Sequence, residues 1–429
     1  MSWFAKNISG PFKNDKLLFW FCLFIFTVPI MKTPDLPLIH QKFQLSELVF
    51  IPVFLWFGME VIKKRVWPFD SALLAAAVIH LGCMALDLLH SGKSMFLRGA
   101  VEIMVQSYLF LIVFISAYIA KTRTDPQKIF SAWSWALVLV MALGLPGLLL
   151  YALGYHGNTL ISTCGIETCV PPSDYPRVQS TFRHPSYLAN YMAISFFFLA
   201  YLREKGRPRL GKGSWFWVWC FLFAAIGFLT LSRSFLIWIV VLIPWAVFRA
   251  NARSSLKICS TSIAAAILAF IAFITVWLVF PLKLDRENTQ LELANFINTK
   301  PSPRMEMWKQ AWASIERNPL WGRNLMEATG PAWVAGKYYA QGVAAHNTWL
   351  QLWATRGILG LISFLFFLAM AVRSGWKNPL SLEQKFLVPA LIALFLISFI
   401  EHLDHVRFVY ILLGLFIGFN SQGSDRDLR

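Results

Sequence analysis

Three places combine residue types suited to chemistry on a phosphate-bearing molecule: Arg233 in Ser232-Arg233-Ser234, Arg304 in Ser302-Pro303-Arg304, and His346-Asn347. A guanidinium is always charged, and its fork matches phosphate oxygens with paired hydrogen bonds. Histidine is the usual general base near neutral pH. One histidine flanked by two positioned arginines therefore suits transfer chemistry on a phosphate-bearing lipid. Each residue also has a plainer reading. Arg233 could snorkel from a span end to lipid phosphate, Arg304 could be a solvated helix terminus, and His346 could be an interfacial hydrogen-bonder.

The elements that carry these residues are dictated by composition. Hydrophobic residues make up 57% of the 429 and charged residues only 14%, with 38 Phe and 19 Trp. Mean hydropathy is +0.56. A soluble domain has about a quarter charged residues, so the solvent for most of this chain is lipid. The formal charge of +17 comes from 39 Lys+Arg against 22 Asp+Glu. The basic residues fall between apolar runs and form no basic stripe, which excludes nucleic acid and points to membrane topology and an anionic ligand.

About twelve apolar runs approach the roughly 20 residues needed to span a bilayer. They lie at 17–31, 45–62, 72–90, 97–119, 131–153, 186–202, 215–231, 234–248, 258–281, 346–371, 386–400 and 408–419. The fold class expected is all-α, a polytopic integral membrane protein forming a single transmembrane domain over 1–429. The first run follows Lys6, Lys13 and Lys16 and has no small-residue cleavage site after it, so it is an uncleaved span. Lys63-Lys64-Arg65, Lys121 to Lys128, Arg203 to Lys212, Arg249 to Lys257 and Arg373 to Lys385 follow even-numbered spans. The positive-inside rule then puts both termini in the cytoplasm and the odd-to-even connections outside.

The same rule places the chemistry. Trp215 to Phe248 is almost continuously apolar with basic residues on both flanks, so it must cross an even number of times. It is a hairpin with Arg233 at its outer tip, held by the tight turn around it. The largest non-spanning segment, 282–345, lies between the ninth and tenth spans on the outer side and carries Arg304. There, Ser302 and Pro303 signal a helix start and Asn318-Pro319 a stop. Met305, Trp308, Trp312 and Ile315 recur at helical spacing, a stripe suited either to the membrane interface or to core packing. Arg304 precedes Trp308 by four residues, on nearly the same face, where free N–H groups of the first turn favour phosphate. His346 opens the tenth span, with Gly357 and Gly360 as a small-residue packing face further along.

Other polar residues are less directive. Cys164 and Cys169, in the outer connection 154–185, could pair in an oxidising compartment, stay free, or join His156 and His184 at a metal. Glu401, His402, Asp404, His405 and Arg407 fill the last outer connection. Glu401 and His405, at i and i+4, could ligate a metal with a neighbour, but structural pairing or contact with an acceptor phosphate is the favoured reading and no metal is assigned. His80, Asp87, Arg98, Glu102 and Arg356 are expected to be buried partners that steady the bundle, with Asp87–Arg98 the first pair expected.

In its second half the chain resembles the bacterial O-antigen ligase superfamily, which also holds O-antigen polymerases and protein O-oligosaccharyltransferases. The resemblance lies in Ser180-Thr181-Phe182-Arg183-His184-Pro185, Leu231-Ser232-Arg233-Ser234, Arg304 to Trp312 with Asn318-Pro319-Leu320-Trp321-Gly322, and His346-Asn347-Thr348-Trp349-Leu350 with Gly357 and Gly360. Each block alone is weak, and their order together with the topology gives the likeness its weight. The resemblance implies a GT-C-like fold with amphipathic helices in a long periplasmic loop. It implies lipopolysaccharide biosynthesis at the inner membrane, with a periplasmic active site. The reaction implied is cofactor-free, metal-independent transfer of a glycan from undecaprenyl pyrophosphate to a sugar hydroxyl of the lipid A–core oligosaccharide.

By the same resemblance His346 takes the place of the family's essential histidine, and Arg233 and Arg304 match its essential arginines. Asn347, Arg183, Trp308 and Ser232, in the same blocks, are expected at the substrate. The first block departs from the family, which commonly has asparagine near Arg183-His184-Pro185, so the roles of Arg183 and His184 stay open. A polymerase that extends the lipid-linked glycan would use the same residues with another acceptor. A glycan transporter or flippase is a different class; it would show repeats and broken helices meeting at the midplane. The distinctive residues here lie in the second half and at one face.

Overall fold

The structure is a computed structural model that describes residues 15–32, 44–65, 69–90, 96–123, 125–155, 159–164, 173–206, 214–248, 258–268, 270–271, 303–322, 332–334, 337–339, 342–376 and 380–420. The chain forms α1 (Lys16–Thr27), α2 (Leu45–Lys64), α3 (Ser71–His90), α4 (Phe96–Thr122) and α5 (Pro126–Ala152). A short antiparallel pair comes after them, β1 (Ile161–Cys164) and β2 (Ser173–Val178). Then come α6 (Pro185–Glu204), α7 (Ser214–Leu229), a 3₁₀ turn (Arg233–Leu236) and α8 (Ile237–Phe248). Next are α9 (Ile258–Leu268) and α10 (Pro303–Arg317), with the small hairpin of β3 (Ala332–Val334) and β4 (Lys337–Tyr339). The last helices are α11 (Thr348–Gly375), α12 (Gln384–Ile397) and α13 (Arg407–Phe419).

This is an all-α polytopic membrane protein, and over the described residues each of the twelve expected spans contains a helix. Among the described residues five helices are long and apolar enough to cross a membrane. They are α2, α3, α4, α5 and α11. The remainder of the expected ninth span, Cys169, His156 and Ser302 lie outside the described residues. The two strand pairs were not anticipated.

Helix α6 is the axis of the second half. Its side chains are buried from Pro185 through Leu202 except Tyr187. A helix apolar all round belongs in a core, and α5, α7, α8, α12 and the 3₁₀ turn pack around it. Its Phe196 meets Trp238 at 5.0 Å between centroids, and its Tyr201 donates to Glu383 at 3.0 Å.

The two ends of the bundle differ in chemistry. At one end Arg123 bridges Asp15 and Glu60 at 2.7 Å each, tying together α1, α2 and α4 near the basic Lys63, Lys64, Lys121 and Lys128. The 3₁₀ turn, the start of α6, the start of α11 and the connection from α12 to α13 lie at the other end.

Helix α11 is broken. Gly357 has φ +66° and ψ −179°, so the helix stops at Arg356 and resumes one residue on. Into the break runs the chain after α10: Ile358 N–H donates to Pro319 O at 2.9 Å, and Trp353 Nε1 donates to the same oxygen at 3.2 Å. A Cβ on Gly357 would lie 2.0 Å from Leu320 O, and one on Gly322 would lie 2.4 Å from Gly357 N. The expectation that Gly357 belongs to a smooth packing face is corrected: it supplies a left-handed turn that admits a second backbone. The break is filled by the chain's own loop, unlike a transporter's binding site.

Gly357→Ala is expected to lower the melting temperature of the detergent-solubilised protein sharply. This positive-φ, extended-ψ backbone is essentially glycine-only and alone costs about 1–3 kcal/mol for an L side chain, before the clash with Leu320. Gly82→Ala, with nothing within 4 Å of the added carbon, is the matched control and should not destabilise.

Candidate functional site

The site is organised by a buried carboxylate. Glu401, 2% exposed, accepts from Arg304 Nη2 at 2.8 Å through Oε1 and pairs with His346 Nδ1 at 3.0 Å through Oε2. Burial alone would push this carboxyl up; the His346 hydrogen bond and the His346, Arg304 and His402 charges outweigh it and hold it down to about 2. Glu401 is therefore ionised and can only accept. His346 Nδ1 therefore donates to it, and in the neutral imidazole this tautomer puts the lone pair on Nε2, facing away from the carboxylate. Arg304 and His346 keep 34% and 31% of their side chains exposed, so both can reach a ligand.

Local sequence explains how each group arrives there. Helix α10 begins at Pro303 as expected, which puts Arg304 in its first turn. Trp308 stands one turn on, and its Nε1 donates to Ala345 O at 2.7 Å, joining the Arg304 face to the segment before His346. Ala311 and Ile315 bury against Ala354, while Met305 and Trp312 stay 47% exposed. The apolar stripe thus divides between core packing and an open face.

His346 itself sits at φ +47°, a left-handed conformation that is uncommon outside glycine. The next two residues hold it there. Asn347 caps α11, its side chain accepting from Trp349 N and Leu350 N and donating to Phe399 O at 3.0 Å. Thr348 Oγ1 donates to Glu401 O at 2.8 Å and accepts from Leu403 N at 3.0 Å. The start of α11 and the Glu401 connection are thereby locked together. Ser180 and Leu231, in two of the other family-like blocks, are also left-handed, and strain of this kind tends to gather where function over-determines the backbone.

Around the carboxylate lie further polar rings. His402 faces His346 edge-on, with centroids 5.6 Å apart, and shares a 2.8 Å hydrogen bond with Tyr187 Oη. Desolvation, aided by the His346 charge, lowers its pKa against the pull of Asp404 and Glu401. His184 caps α6, its Nδ1 accepting from Ser186 N at 3.2 Å. Its side chain is exposed; desolvation first, then the charges of Arg177, His346 and Arg304, lower its pKa against the pull of Glu401.

Arg233 stands on the 3₁₀ turn between α7 and α8, so the expected hairpin is present with Arg233 exposed at its tip. The turn is fixed from within: Ser232 Oγ and Ser234 Oγ are 2.9 Å apart, and Arg177 Nε donates to Thr230 O at 3.0 Å. Arg183 lies half-buried, with Nε donating to Met31 O at 3.2 Å. The structure thus joins Arg304 and His346 through Glu401, with Trp308 and Asn347 as direct supports. Ser232 braces the tip through Ser234, and Arg183 holds the backbone at Met31.

The metal-ligand spacing considered for Glu401 and His405 assumed a helix, and residues 401–406 are not helical. His405 turns instead to Glu102, 3.2 Å away. His346, Glu401 and His402 do bring ligand atoms within 4.8 Å of one another, but both Glu401 oxygens already serve Arg304 and His346. Sequence reasoning noticed Glu401 without seeing its role, and overlooked Tyr187 and Arg177. The one available signal was a cluster of charged residues in a short connection between two apolar helices.

Residues 218–365 match the family model described as O-Antigen ligase. The match runs from α7 across the hairpin tip, α10 and His346 to the far side of the α11 break, and stops short of Glu401. No curated protein matches the chain.

Proposed function

We propose, from the membership of the O-antigen ligase and polymerase superfamily that this match supports, that the chain is an O-antigen ligase. It would transfer a glycan from undecaprenyl pyrophosphate to a sugar hydroxyl of lipid A–core oligosaccharide at the periplasmic face of the bacterial inner membrane. The observation that carries the reading is the ionised Glu401 gripping Arg304 with one oxygen and His346 with the other.

The chemistry comes from that arrangement. The leaving group is a lipid pyrophosphate whose negative charge grows as the glycosidic bond breaks. Arg304 and the hairpin-tip Arg233 supply fixed positive charge to it, a role that otherwise falls to a metal ion. His346 Nε2 takes the proton of the acceptor hydroxyl as that oxygen attacks the anomeric carbon. The carboxylate steadies the imidazolium that results, as in other carboxylate–histidine pairs. A single displacement inverts the anomeric configuration. Linkage analysis of donor and product should show inversion; retention would exclude the scheme.

Lipopolysaccharide gels of a deletion strain test the assignment. The ligase reading expects core-only lipopolysaccharide and accumulated long lipid-linked glycan, both corrected by the wild-type gene. Accumulation of single repeat units would make the chain a polymerase, and an unchanged ladder would remove the O-antigen assignment.

A further inference from the structure

Below the Glu401 connection lies a buried polar cluster that the transfer chemistry does not use. Asp404 Oδ2 is 3.8 Å from Arg356 Nη2 and 3.6 Å from His405 Nδ1. His405 Nε2 is 3.2 Å from Glu102 Oε2 on α4. Arg356, the last residue before the α11 break, also donates to His80 Nε2 and to Gln106 Oε1, each at 3.3 Å. Gln106 in turn donates to Tyr410 Oη, which donates to Asp404 O at 2.7 Å. The cluster therefore joins α3, α4, α11 and α13 to the three residues after His402.

Arg356, Asp404 and Glu102 are buried while His405 keeps 31% of its side chain exposed, and buried ionisable groups are expensive unless they are paired. They meet here at a six-residue connection, 401–406, with no regular structure of its own. Glu401 is fixed at one end by Thr348 and Asp404 and His405 at the other by the cluster. Two carboxylates, Asp404 and Glu102, face two cations, Arg356 and His405, with His402 and Asp87 as the other titratable neighbours. If His405 loses its proton, two acids share one arginine, and the ion pair between the connection and α4 is lost.

We propose that Glu102 and His405 are positioning residues for the Glu401 clamp, and that transfer requires the His405–Glu102 ion pair. The proposal rests on the transfer reading of this site. Desolvation opposes charge on His405, but Asp404 and Glu102 outweigh it and raise its pKa. A raised histidine stabilises fully below its ordinary value of about 6.5, and that contribution disappears as pH rises through the raised value. Activity should therefore carry an alkaline limb, with kcat falling on the order of tenfold as the clamp loosens.

The experiment pairs two readouts on the full-length protein in detergent. One is the pH profile of kcat for wild type, Glu102→Gln and Glu102→Asp. The other is hydrogen exchange across 399–406 at matched pH. Removing the Glu102 charge should move the alkaline limb toward lower pH by about one unit, with earlier exchange at Leu403, and the aspartate variant should restore much of both. A limb and an exchange pattern that Glu102→Gln leaves unchanged would overturn the proposal. If the exchange shift occurs but no glycan is transferred at any pH, the positioning role stands and the transfer reading falls.

Discussion

Glu401→Gln is expected to reduce glycan transfer by about 10²- to 10⁴-fold while the protein still folds. The wild-type carboxylate faces two donors, Arg304 Nη2 and His346 Nδ1. An amide offers only one oxygen, and its NH₂ must point at the other donor. If the oxygen stays with Arg304, His346 can keep the contact only by presenting a bare Nδ1. The proton then moves to Nε2, where the lone pair is needed. The same carboxylate-to-amide exchange in a serine protease triad costs about 10⁴ in rate for this reason. The fold should survive because Arg304 and His346 are each about a third exposed, so water solvates much of what the carboxylate released. Initial rates with matched circular dichroism measure both halves. Retention of more than about a tenth of wild-type activity would mean that the clamp does not set the tautomer.

The same geometry fixes a sign for pH. Glu401 has a depressed pKa, so its contribution is present above the ordinary glutamate value of about 4.3 and is lost as pH falls through about 2. The clamp stays charged through the neutral and mildly acidic range. Any loss of activity between pH 7 and pH 5 must then come from another group.

His346→Ala should cost about 10²- to 10⁴-fold in kcat, because proton removal by a positioned base contributes that much. His346→Gln should be nearly as poor, since an amide can orient a hydroxyl but cannot accept its proton at pH 7. The sharper signature is non-additivity. Once His346 is absent, the tautomer that Glu401 enforces no longer matters, and the double variant His346→Ala/Glu401→Gln should be little worse than His346→Ala. Full multiplication of the two single effects would mean that the residues act separately. A glutamine variant with near-normal kcat would assign His346 to acceptor positioning.

How much of this was legible in the sequence depends on the range of each interaction. The apolar runs, the Ser232-Arg233-Ser234 tip and the Pro303 helix start are local signals, and the helices and the turn lie where those signals put them. Arg304 and Trp308 share a face because helical spacing requires it, and both turn toward the His346 segment. The Glu401 contact joins residues 55 and 97 positions apart, which no periodicity reports. The i, i+4 reading of Glu401 and His405 failed because it supposed a helix in a connection too short to form one. Gly357 looked like packing because its left-handed turn is imposed by a loop that arrives from 35 or more residues upstream. Asp87 was matched with Arg98, whose side chain lies outside the described residues, while Arg356 found His80, Gln106 and Asp404.

The most direct measurement is reconstitution. Purified wild type, His346→Ala and Arg304→Ala would each be given undecaprenyl-pyrophosphate glycan and lipid A–core in chelator-containing detergent. The product would be read as glycan joined to lipid A–core, with release of undecaprenyl pyrophosphate. The account predicts one undecaprenyl pyrophosphate released per glycan joined by wild type, and loss of both products in the two variants. Wild-type protein that joins no glycan, or variants that join it at the wild-type rate, would contradict it.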